Sequence, residues 1–150
     1  MTPNSLAGRW ISLGPYFLSL LRIVGAFLFI QYGGSKILGW PAAVMPGGGT
    51  APLASQAGVA GLLELGGGAL LIVGLFTRPV AFVLCGFMAV AYFMAHGSQG
   101  NVLVPLLNQG ELAVLYCFVF LYFVFSGAGA WSIDAARQGR RTAFGAAAPL

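Results

Sequence analysis

Apolar residues run through this chain in four long stretches, 13–38, 57–76, 79–95 and 109–125, with polar residues gathered between them. Crossing the hydrocarbon of a bilayer takes about 20 largely apolar residues, and the stretches approach or exceed that length. They predict four transmembrane helices. The second and third are joined only by Thr77 and Arg78, a tight hairpin in which Pro79 suits a first helical turn. Gly97-Ser98-Gln99-Gly100-Asn101 and an apolar stretch containing Pro105 link the third to the fourth. Asn108-Gln109-Gly110-Glu111 then reads as a variant capping box opening the fourth helix. The longest connection, 39–56, holds Pro41, Pro46, Pro52 and Gly47-Gly48-Gly49 and shows no helical period. Trp40, Val44 and Met45 are placed to dip into the interface. Lipid cannot satisfy irregular backbone, so this loop must be wet or covered by protein.

Composition agrees with that pattern. Hydrophobic residues make up 59% of the chain and charged residues 7%, against about 25% charged in soluble domains. The expected fold is an all-α membrane protein, a four-helix antiparallel transmembrane bundle over residues 1–134, followed by a short, flexible basic tail over 135–150. The first stretch carries Arg22 and ends in Gln31-Tyr32-Gly33-Gly34, with no small-x-small cleavage pattern, so it reads as a retained span. Arg9, Arg78, Arg137, Arg140 and Arg141 fall on one side of the four-span topology and Lys36 on the other. The positive-inside rule then places both termini in the cytoplasm of a bacterial-type inner membrane. Trp10 and Trp131 fall at the cytoplasmic rim and Trp40 near the opposite one. The net charge of +4 comes largely from the tail, which points to anionic lipid headgroups rather than nucleic acid.

The polar residues inside the apolar stretches carry the candidate chemistry. A charge at the centre of a membrane helix costs roughly 2.5–3.5 kcal/mol on insertion scales, so it normally faces a partner or a wet cavity. Arg22 falls near the middle of the first span, and Glu64 about 10 Å below the outer end of the second. Arg22, Gly25, Phe29, Tyr32 and Lys36 share one helical stripe, and Ala57, Gly61, Glu64 and Gly68 form a matching stripe of mostly small residues. With Lys36, His96 and Glu111 near the outer rim, the expectation is an outward-opening pocket: Arg22 at the floor, Glu64 on the wall, the other three at the mouth.

Each of these residues also has a plainer role. Arg22 and Glu64 can be a structural ion pair, Lys36 can snorkel, and Glu111 can answer a helix dipole. His96 has no second ligand at metal-binding spacing, so no metal site is expected. Tyr92, Tyr116 and Tyr122, with Phe118, Phe120, Phe123 and Phe125, suit packing or lipid contact. The two cysteines, Cys85 and Cys117, lie in apolar stretches without a C-x-x-C pattern and read as reduced packing residues. No Ser/His/Asp set, phosphate loop, haem pair or dinucleotide motif occurs. Gly66-Gly67-Gly68 falls inside a helix and suits close helix contact.

Several of these segments together resemble the DoxX family. They are Arg22 and Lys36 in the first span, Gly33-Gly34-Ser35-Lys36 closing it, and Glu64-Leu65-Gly66-Gly67-Gly68 in the second. Gly74-Leu75-Phe76-Thr77-Arg78 at the hairpin, Gln109-Gly110-Glu111, and the closing Gly127-Ala128-Gly129-Ala130-Trp131-Ser132-Ile133-Asp134 complete the set. The resemblance covers about residues 21–134 and implies a four-helix protein of the bacterial cytoplasmic membrane. Related DoxD proteins are membrane subunits of thiosulfate:quinone oxidoreductase, and some DoxX proteins are linked to oxidative-stress complexes. The resemblance therefore implies a small membrane subunit of a redox system, with no covalent cofactor and a quinone as candidate ligand of Arg22, Tyr32, Lys36, Glu64, His96 and Glu111. The chain has no evident electron-transfer site of its own, so an oxidoreductase partner would supply electrons. Two other classes stay open: a non-enzymatic membrane adaptor or assembly factor acting on a client membrane protein, and a small-molecule transporter working as a homo-oligomer.

Overall fold

The computed structural model of the chain describes residues 6–43, 45 and 47–146, and side chains from 10 to 139 within those limits. Val44, expected near the interface, and Pro46 of the same loop lie outside the described residues, as do the side chains of Arg9, Arg140 and Arg141. Among the described residues all regular structure is helical: α1 (Leu6–Ile37), α2 (Gln56–Val73), α3 (Thr77–Ala91), α4 (Glu111–Ser126) and α5 (Ile133–Ala146). A π-helical turn, Tyr92–His96, and a 3₁₀ turn, Gly97–Gln99, extend α3. Trp10–Ile37, Gln56–Val73 and Thr77–Gln99 are long and apolar enough to cross a membrane, and Glu111–Ser126 is apolar but shorter. Large apolar side chains stay uncovered on these helices, including Trp10 at 69%, Phe82 at 67% and Phe125 at 72% exposure. Water would not tolerate so many, whereas lipid solvates them. This is an integral membrane protein.

The helices form two compact units. The first holds the chain up to Phe76 and returns with Ala128–Leu150, and the second is Thr77–Gly127.

In the first unit α1 and α2 pack antiparallel along small residues. A Cβ on Gly33 would stand 2.6 Å from the Gly61 carbonyl oxygen and 2.7 Å from the Leu65 nitrogen, so the two backbones approach as only glycine allows. The buried stripe of α1 is Ser19, Arg22, Ala26, Phe29 and Gly33. Gly25 and Tyr32, expected on it, sit at its edge, and Tyr32 is 43% exposed. On α2, Gly61, Glu64 and Gly68 are buried as expected, while Gly66 has open space where a side chain would be. Ser55 caps the start of α2 by accepting from the Gly58 N–H at 3.1 Å. Gly74, at φ 66°, ends it in a Schellman turn, with Leu75 N–H donating to Leu70 O and Gly74 N–H to Leu71 O.

Two boundaries depart from the apolar pattern. Helix α1 starts at Leu6 and spans about 48 Å at 1.5 Å per residue, because Leu6–Ser12 is helix-compatible although it is not continuously apolar. The tail expected to be flexible is helical from Ile133 to Ala146. Ser132 caps it, accepting from Ala135 N–H at 3.1 Å, and Asp134 in its first turn suits the dipole.

In the second unit α3 and α4 pack through Ala81, Leu84 and Met88 on one side and Ala113, Phe120 and Phe123 on the other. Arg78 closes the end of α4, its Nη1 donating to Val124 O at 2.7 Å and Phe125 O at 2.8 Å.

Candidate functional site

Among the described residues of the first unit, Arg22 and the Lys36–Glu64 pair belong to two separate clusters. Arg22 is fully buried. Its Nε donates to Ala128 O at 2.8 Å, its Nη1 to Ile72 O at 2.8 Å and also to Leu71 O, and its Nη2 to Trp131 O. Leu71 and Ile72 stand in the last turn of α2, whose carbonyls have no partner within the helix. A cation there satisfies them and meets the negative end of the dipole. The other two carbonyls come from the segment between α4 and α5, which folds back onto the same place.

Local sequence explains the fold-back. Gly127 and Gly129 hold φ values of 81° and 77°, which side-chain-bearing residues rarely adopt. Gly129 also lies against Ser19 and 2.6 Å, measured from a would-be Cβ, from Pro15 O. Ser19 donates to Pro15 O at 2.8 Å and accepts from Trp131 N–H at 2.9 Å, while Ala130 N–H reaches Pro15 O at 3.0 Å. Asp134 then ties down the end of α2: its N–H donates to Gly74 O, and its carboxylate accepts from Phe76 N–H, both at 3.0 Å. Its charge also acts on Arg22 through space.

The second cluster is Lys36 with Glu64. The ammonium nitrogen stands 2.6 Å from Oε1 and 2.8 Å from Oε2. The Glu64 side chain is 5% exposed and that of Lys36 23%. Lys36 lies about 21 Å further along α1 than Arg22 at 1.5 Å per residue. Its carbonyl accepts from Ala51 N–H at 2.7 Å, which pins the following loop beside the pair.

Arg22 and Glu64 therefore do not pair, contrary to the expectation that they share a pocket. With Gly33 against Gly61 and Leu65, the register sets Lys36 level with Glu64 and Arg22 level with the end of α2. Arg22 stands at the middle of α1, as expected, but α2 ends level with it, so the group it meets there is backbone and not Glu64. Tyr32 lies one turn before Lys36 on the exposed flank.

His96 and Glu111 belong to the second unit. His96 Nδ1 is 3.0 Å from Asn108 O, and its ring stacks on Tyr92. Tyr92 donates to Val102 O at 2.7 Å, and the buried Asn108 side chain donates to Tyr92 Oη at 3.2 Å and Asn101 O at 3.3 Å. Glu111 is the first residue of α4. The expected capping box does not form, because the Asn108 side chain accepts from Gly110 N–H at 3.0 Å and Gly110 takes the cap position without a side-chain bond. Ser19, Gly74, Ser132 and Asp134, which build the Arg22 cradle, were not singled out by the charge pattern. Glycine pairs followed by Ser-x-Asp were the available signal.

The family described as DoxX matches residues 17–97. The chain belongs to the DoxX family. That match takes in both clusters' residues on α1 and α2, whereas the carbonyls of Ala128 and Trp131 fall beyond it. An uncharacterized protein of Haemophilus influenzae is 52% identical to this DoxX chain over 121 residues, covering 80% of the chain and 90% of that protein. The inner membrane protein YqjF of Escherichia coli is 32% identical over 120 residues, covering 75% of the chain and 85% of that protein. No solved structure matches.

Proposed function

We propose that this DoxX protein lies in the bacterial inner membrane with both termini in the cytoplasm and serves as a small membrane subunit of a redox system, with Lys36 and Glu64 as its quinone-facing groups. The similarity to an Escherichia coli inner membrane protein supports the location, and the basic residues support the orientation. One observation carries the site: a partly exposed ammonium is held by both oxygens of a buried carboxylate. An ammonium has three donors. Two are engaged by Glu64, leaving the third for a carbonyl oxygen arriving beside Tyr32, so the residues fit a quinone headgroup. A bound quinone supplies two-electron, two-proton chemistry. Lys36 orients its oxygen and carries the proton within reach of it, the Glu64 carboxylate holds the ammonium in place, and an oxidoreductase partner supplies electrons. Arg22 takes no part, since it is fully buried and each of its three nitrogens donates to backbone.

The test is binding of a short-chain ubiquinone to the purified protein, followed by tryptophan fluorescence. The wild type should bind one equivalent, and Lys36→Met should lose it while eluting as the wild type does. A wild type that takes up no quinone would remove the reading.

A second reading is favoured by the outward glycines. Gly14, Gly25, Gly66 and Gly86 have nothing within 4 Å of a would-be Cβ, and small faces admit another helix. The protein would then be a membrane adaptor whose charges only hold its helices. Under that reading Lys36→Met changes accumulation of the protein and nothing else.

A further inference from the structure

Cys85 and Cys117 are 32 residues apart, and their sulfurs stand 3.6 Å from each other across the α3–α4 contact. Both side chains sit on the packing stripes of their helices: Cys85 falls between Ala81 and Met88, and Cys117 between Ala113 and Phe120, at steps of four and three. Each is free and partly exposed. A disulfide needs its sulfurs at about 2.05 Å, so rotation about the two Cα–Cβ bonds has roughly 1.5 Å to close.

We infer that Cys85 and Cys117 are a membrane-embedded two-electron redox pair, a dithiol that closes to a disulfide joining α3 to α4. Two S–H bonds break and one S–S bond forms. The two electrons and two protons pass to a lipid-soluble hydrogen acceptor of the quinone class, which becomes the quinol. The acceptor must dissolve in lipid because both cysteines lie inside apolar helices, away from water-borne oxidants. The inference does not rest on the quinone site assigned to Lys36 and Glu64.

The experiment uses the full chain, reduced, purified in detergent and exposed to a fully ring-substituted ubiquinone analogue, which resists thiol addition. Maleimide-reactive thiols counted after denaturation should fall from two to none, the intact mass should drop by two hydrogens, and one equivalent of quinol should appear. A protein that binds no quinone beside Lys36 yet closes the disulfide and yields quinol would still support the inference. Cys85→Ser and Cys85→Ala should each keep one reactive thiol and form no quinol. Two thiols still reactive in the wild type, a quinone adduct in the mass spectrum, or a disulfide-linked dimer would each overturn the inference.

Discussion

Replacing Arg22 by methionine keeps an unbranched apolar stem and removes every donor from a site holding four backbone carbonyls, those of Leu71, Ile72, Ala128 and Trp131. A hydrogen bond from a charged donor is worth about 1.5–3 kcal/mol net. Four such bonds do not add, because the substitution also relieves the desolvation of a buried guanidinium. The nearer guide is removal of one partner from a buried charged network, about 3–5 kcal/mol. Arg22→Met should destabilise the protein by that amount. Arg22→Lys should cost about 1.5–3 kcal/mol, since one ammonium cannot reach carbonyls on two segments as a planar fork does. Unfolding in mixed micelles of dodecyl maltoside and SDS, followed by tryptophan fluorescence, measures both. An Arg22→Met variant within about 0.5 kcal/mol of the wild type, the range of an ordinary surface change, would refute the idea that this residue anchors the returning segment to α1 and α2.

Other substitutions test the rest of the frame. Gly33→Ala forces a methyl against the Gly61 carbonyl and Leu65 nitrogen and should cost about 1–3 kcal/mol in the same unfolding assay, whereas Gly66→Ala, with open space around it, should be neutral or stabilise by up to about 1 kcal/mol. Glu64→Gln leaves the Lys36 ammonium short of its partner and should cost about 1–3 kcal/mol; adding Lys36→Met should recover most of that loss, and a double-mutant cycle showing no coupling would contradict the pairing. Asn108→Ala removes the side-chain bonds to Tyr92, Asn101 and Gly110 and should raise hydrogen exchange at 97–110 while leaving α1 and α2 protected.

Membrane helices were legible because hydropathy alone signals them. The α2 stripe of Gly61, Glu64 and Gly68 was legible too, since a charge flanked by small residues has few other places to go. Less legible was the partner of each charge. Opposite signs on neighbouring helices suggested Arg22 with Glu64, but a guanidinium is satisfied equally well by carbonyls, and backbone acceptors leave no mark in a sequence. The start of α1 was hidden for a related reason: a helix that outruns the hydrocarbon loses its apolar signature without losing its hydrogen bonds. The cysteine pair was invisible because 32 residues of chain separate two positions that helix packing brings into contact.

The first unit is discontinuous, and its last pieces are made last. Arg22 emerges from the ribosome 106 residues ahead of Ala128, a delay of roughly 5–20 s at about 5–20 residues per second. For that interval a guanidinium and the tip of α2 must be shielded by water, lipid phosphates or the insertion machinery. Premature termination anywhere in the second unit would leave a nascent hairpin with a half-coordinated cation, a mark by which membrane quality control could tell unfinished copies from finished ones.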